Sequence, residues 1–164
     1  MSQRTAIDTL AFARQTGSLE GELPVASLTR TIDLLADTAG NLKYRVEGGW
    51  GARSRPQLVL KLDGMLSVRC QRCLEGVDFP LHVQSVLEFV DDEDSLTQEE
   101  IEDDTKDFLP AQSEVDVLAL IEDEVILSLP VAPRHERCAL PEAGQGGGKI
   151  SPFSVLKGFK GKAS

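Results

Sequence analysis

Two short motifs hold the residues best suited to chemistry. Cys70-Gln-Arg-Cys73 sets two thiols two residues apart, and His135-Glu-Arg-Cys138 repeats that gap with an imidazole and a third thiol. A two-residue gap lets both side chains of a tight turn point at one ion, and four donors of this kind match a closed tetrahedral zinc site. The expected cofactor is therefore one structural zinc on Cys70, Cys73, His135 and Cys138. A long stretch of chain separates the halves, so spacing does not bring them together. The alternative, four unrelated small residues, stays open. A redox reading of Cys70 and Cys73 is weaker. A thioredoxin-like pair needs a helix N-terminus to lower its thiol pKa, and this pair falls between two strand patterns.

Arginine flanks both halves: Arg69 and Arg72 beside the cysteines, Arg134 and Arg137 around His135. If the halves meet, four guanidinium groups converge, and guanidinium suits phosphate and base-edge contacts. The alternative is that each offsets thiolate charge or solvates a turn. Lys157, Lys160 and Lys162, in a C-terminal stretch without acids, add a second basic feature. Other groups carry less. Glu122-Asp123-Glu124 fans across about 200° of a helix, so it reads as a solvated face rather than an acid/base pair. Gly144 to Gly148 lacks the Lys-Ser/Thr of a phosphate loop.

The elements that must position these residues are legible from periodicity. Leu58, Leu60, Leu62, Leu66, Val68 and Cys70 alternate with polar residues, and so do Val77, Phe79, Leu81, Val83, Leu87 and Phe89. Period-2 alternation marks strands with one wet face. The short connection at 70–76 predicts an antiparallel hairpin with the first cysteine pair at its turn. Gly64 fits a bulge or bend. Upstream, residues 12–23 read as an early strand. Val25, Leu28, Ile32 and Leu35 have helical spacing after Pro24, and Leu42 to Val46 reads as a strand broken by Gly48-Gly49. Downstream, Ser113 is placed to cap a helix whose apolar face runs from Val115 to Leu129, ended by Pro130 and Pro133. The fold class expected is α+β: a small antiparallel sheet, about two packed helices and a long acidic loop. Residues 1–140 read as one domain. Residues 141–164 read as a Gly-rich linker and a short basic helix or tail, with Phe153, Leu156 and Phe159 available for docking.

Charge is segregated. The chain of 164 residues has a net charge of −10. Residues 88–107 hold 11 acids and one base, so that block carries the whole excess and the rest is neutral. Like charges at this density predict a loose loop over 91–107. Three cysteines, no secretory pattern in Met1 to Leu10 and no apolar run near the ~20 residues that span a bilayer point to a reducing, cytoplasmic setting without a membrane.

In this order, these residues resemble the bacterial family of large ribosomal RNA subunit accumulation proteins, YceD. The matching pieces are Cys70 to Cys73 after an alternating strand, the acidic block, the stretch Asp116 to Pro130, Pro133 to His135 with Cys138, and Ser151 to Leu156. Ser151 stands where the family often has Asn, and both residues cap a helix. The resemblance implies a role in the accumulation of 23S ribosomal RNA through its synthesis, processing or stability, with metal binding and nucleic-acid binding and no assigned catalysis. The expectation is a non-enzymatic ribosome biogenesis factor contacting large-subunit ribosomal RNA or a ribosomal protein, with Arg69, Arg72, Arg134 and Arg137 facing RNA. Its rivals are a zinc-dependent or thiol enzyme acting on RNA or protein, and a purely protein-binding adaptor.

Overall fold

The computed structural model describes residues 6–92, 96–111 and 114–138. The expected α+β class is what the chain adopts. A five-stranded sheet is built from β2 (Ser18–Pro24), β3 (Asn41–Trp50), β4 (Pro56–Arg69), β5 (Gly76–Val90) and β6 (Asp107–Pro110), in that order. The short β1 (Ala6–Ile7) pairs with β7 (Val115–Asp116) in a second sheet. The described helices are α1 (Thr9–Arg14), α2 (Gln98–Ile101) and α3 (Val117–Ser128).

The alternating segments form the centre of the sheet. β4 and β5 pair antiparallel from Arg69↔Gly76 to Gln57↔Glu88. Leu58, Leu60, Leu62, Leu66 and Val68 point inward and are fully buried. Burial of one such side chain is worth about 1.5–3 kcal/mol, which fixes the register against a one-residue slip. α3 lays Val117, Ile121 and Val125 into the same core. Asp116 caps α3 by accepting a hydrogen bond from Leu118 N at 2.9 Å. The cap expected at Ser113 lies outside the described residues, as do the linker at 141–149 and the basic terminal segment.

Several expectations change. Residues 12–14 belong to α1, which Asp8 caps, and the early strand starts only at Ser18. The spacing of Val25, Leu28, Ile32 and Leu35 forms no α-helix. Two 3-10 turns stand there, Val25–Ser27 and Ile32–Leu34. Leu28 and Leu35 are buried without a helix, because Leu35 bridges to Val68 and Ala36 N donates to Ser67 O at 2.7 Å. Gly48-Gly49 continues β3 rather than ending it. Gly64 is no bulge: it keeps register with both Leu42 and Leu81. It is glycine because a Cβ there would overlap the Leu42 side chain. The sheet is antiparallel except for β6, which joins β5 in parallel.

The acidic block is also more ordered than charge density suggests. A capping box of Thr97 and Glu100 starts α2. Glu100 pairs with Arg55 at 2.8 Å and Arg53 at 3.3 Å. Glu88 is buried in β5, where Lys106 reaches it at 3.0 Å. Repulsion among the acids is offset by cations from outside the block and by Lys106 within it.

Candidate metal centre

β4 ends at Arg69 and the chain turns tightly before β5. Cys70 N donates to Glu75 O at 2.8 Å and Leu74 N to Cys70 O at 3.0 Å. Arg72 N points at Cys70 Sγ from 3.4 Å. The turn forces Leu74 into the left-handed region at φ 68° with its side chain 61% exposed.

The second half arrives from α3. The prolines after Ser128 keep the chain out of a helix, and Pro133 O accepts a hydrogen bond from Gln71 N at 2.9 Å. This bond lays the strap 130–138 across the hairpin turn. His135 Nδ1 then lies 3.3 Å from Cys73 Sγ, and Cys138 Sγ lies 3.8 Å from Cys70 Sγ. The four donor atoms of Cys70, Cys73, His135 and Cys138 all lie within 4.8 Å of one another. A tetrahedral ion with Zn–S of about 2.3 Å and Zn–N of about 2.0–2.1 Å requires S···S edges near 3.8 Å and S···N edges near 3.6 Å. The Cys70–Cys138 and Cys73–His135 separations are close to those edges, and the whole group would draw in slightly around an ion.

Protonation in the group suits a cation. Backbone N–H groups, Cys73's foremost, then those of Arg72 and His135, lower the Cys70 thiol to about 5 against its desolvation. Desolvation first, then the neighbouring sulfurs of Cys70 and Cys73, push the Cys138 thiol up. The Cys70 sulfur and the Gly76 carbonyl raise His135. Clustered thiols that resist simultaneous ionisation are what a divalent ion relieves. His135 Nε2 lies 2.9 Å from Gly76 O, so Nε2–H donates there and leaves Nδ1 as the free ligand atom. All three thiols are free.

Each predicted arginine is the immediate neighbour of a donor residue. Arg72, Arg134 and Arg137 are exposed and form no ion pair among the described residues. Arg69 differs, because its guanidinium donates to Leu35 O at 3.2 Å and holds the 3-10 segment.

A family model for "Large ribosomal RNA subunit accumulation protein YceD" matches residues 58–160. The chain belongs to the YceD family. That match begins within β4 and takes in both halves of the Cys/His group. The family's description attaches it to the accumulation of large-subunit ribosomal RNA. No solved structure matches the chain. No helix among the described residues is long and apolar enough to cross a membrane.

The acid triplet is not the solvated face that spacing suggests. Glu122 and Glu124 are buried and only Asp123 is exposed. Glu122 accepts from Arg30 N at 3.0 Å, Asp123 pairs with Arg30 at 2.6 Å, and Glu124 accepts from Ser85 Oγ. These acids dock α3 onto β5 and the segment at 29–30. Burial raises the Glu124 carboxyl above the usual carboxylate range. Sequence reasoning also missed the Gly76 and Pro133 carbonyls, since backbone acceptors leave no mark in residue type.

Proposed function

We propose that this YceD-family protein holds one structural zinc on Cys70, Cys73, His135 and Cys138 and uses the rigid knuckle so formed to contact large-subunit ribosomal RNA. The observation that carries the reading is the meeting of four donors within 4.8 Å, each next to an arginine. Zinc supplies positive charge that lets the thiols ionise together, and it pins the strap 130–138 to the β4–β5 turn. Four protein donors fill a tetrahedron and leave no position for a catalytic water, so the role is binding in ribosome biogenesis rather than hydrolysis. Arg72, Arg134 and Arg137 face phosphates, while Arg69 braces the turn. The neutral body of the chain gives this local patch its effect despite the net charge of −10. The cytoplasm, where large-subunit RNA matures, is the setting.

The test is binding of large-subunit ribosomal RNA fragments across a salt series. Replacing Arg72, Arg134 and Arg137 with Gln keeps length and polarity and removes charge. Affinity is expected to fall, and the slope of log K against log salt to lessen by about 2, given about 0.7 per phosphate contact on single strands. Unchanged affinity and slope would move the function to protein contacts alone.

A further inference from the structure

α3 has a composition at odds with its surroundings. Its sequence, Val-Leu-Ala-Leu-Ile-Glu-Asp-Glu-Val-Ile-Leu-Ser, is apolar around most of its circumference. A helix of that kind is ordinarily buried on all sides. Here the core takes Val117, Ile121 and Val125, and two of the three acids turn inward as well. The consequence is an outward face bearing Asp123 and Leu127, with Leu120 half-buried at its edge and Leu127 75% exposed. Beside it runs β6, the last strand of the sheet, so among the described residues the outer backbone edge of β6 has no neighbouring strand in that sheet. Between helix and strand lies a groove of about 370 Å³ floored by Leu87, Leu109, Leu120 and Leu127. A second concavity continues it along the first turns of α3, sharing Leu109, Leu120 and Asp123.

The rim of this groove has one sign of charge. Asp107 and Asp123 line the first part at the surface with Glu124 buried beneath them, and Glu114 and Asp116 join in the second. The one base in the lining is Arg30, and Asp123 already holds it at 2.6 Å. An apolar floor, an acidic rim and a strand edge unpaired among the described residues suit a basic segment that carries apolar side chains. We propose that the α3–β6 groove docks a basic, leucine- or phenylalanine-bearing peptide segment of a partner protein. Apolar side chains would cover Leu120 and Leu127, and Lys or Arg would meet Asp107 and the acids along α3. The terminal position of β6 leaves its outer edge available for main-chain hydrogen bonds to an extended segment. This surface involves none of the donor residues of the metal centre and none of the arginines beside them, so it stands or falls independently of the RNA reading.

The test uses the full chain. A photo-crosslinking residue is placed at Leu127, and a control at Lys43 on the wet face of β3, each in cells, with crosslinked peptides identified by mass spectrometry. The expected result is crosslinking at 127, absent at 43, to peptides of another protein with Lys and Arg in excess. In parallel, a synthetic amphipathic Lys/Leu peptide is titrated into the purified chain. It should bind, Leu127→Asp and Asp107→Lys should each weaken it at least tenfold, and a Glu/Leu peptide should not bind. Leu127 and Asp107 are exposed, so both variants keep the fold, checked by an unchanged melting temperature. Crosslinks at 127 to residues 151–164 of the same chain, to a second copy or to RNA would overturn the proposal. So would equal binding of both peptides, or Lys/Leu binding untouched by the two substitutions.

Discussion

Lys106→Met removes the charge nearest a buried carboxylate and leaves the aliphatic stem. Glu88 is 2% exposed. Lys106 Nζ lies 3.0 Å from its Oε1, Arg55 stands 4.0 Å from its Oε2, and Oε2 makes no hydrogen bond among the described residues. Gly51 lies so close that a Cβ there would overlap the carboxylate, so the site has no room to open. Breaking a buried ion pair on one side costs about 3–5 kcal/mol, because the remaining charge stays desolvated. Arg55 persists at longer range, which places the loss near the lower end, about 3 kcal/mol. At about 2–4 °C per kcal/mol for a chain of this size, the melting temperature should drop by about 6–12 °C. Adding Glu88→Gln should restore much of it, giving a coupling of about 2 kcal/mol in a double-mutant cycle. Urea midpoints at constant slope provide the measurement. The exposed Arg45–Glu20 pair is the control, expected to be worth under about 1 kcal/mol. A Lys106→Met loss below about 1 kcal/mol, or additivity with Glu88→Gln, would refute the picture of an anchored acidic segment and restore the loose loop.

Three further outcomes follow from named contacts. Glu124 has a raised folded-state pKa, so its stability contribution is full below the ordinary carboxylate range and is lost as pH rises through the folded value. Glu124→Gln should therefore match the parent near pH 4 and gain on it between pH 5 and 7, read from urea midpoints at each pH. Leu74→Gly removes the left-handed strain of a bulky residue at φ 68° and should raise stability by up to about 1 kcal/mol, net of unfolded-state entropy, with a small rise in melting temperature. Gly64→Ala should lose about 1–3 kcal/mol through the clash with Leu42, checked by thermal melting.

What was legible in the sequence was what periodicity alone dictates. The β4–β5 hairpin followed from two alternating runs, because a slip would turn every leucine to water. The α3 helix followed from the apolar face running from Val115 through Leu118, Ile121 and Val125 to Leu129, although Val117, which that face left out, also enters the core. The residues 25–35 misled, since Leu28 and Leu35 satisfy their burial through 3-10 turns and a bridge to Val68 that no local pattern encodes. Glu122 and Glu124 misled for a related reason: their partners, Arg30 N and Ser85 Oγ, come from distant chain. The acidic block was read by charge density, while its order comes from Arg53, Arg55 and Lys106. For the metal centre, spacing picked out the two halves, whose four donors lie within 4.8 Å of one another. Nothing in the spacing could say that hydrogen bonds from Gln71 N to Pro133 O and from His135 Nε2 to Gly76 O would hold the halves together.

The central claim is a closed Cys₃His zinc centre. Protein purified without chelator or histidine tag should be analysed for metal and then by X-ray absorption at the zinc edge. The account predicts about one zinc per chain with three sulfur and one nitrogen neighbours, and loss of one sulfur neighbour or of the metal in Cys138→Ser. Protein that carries no zinc and takes up none from stoichiometric addition, or a spectrum showing oxygen donors in place of His135 and Cys138, would contradict it.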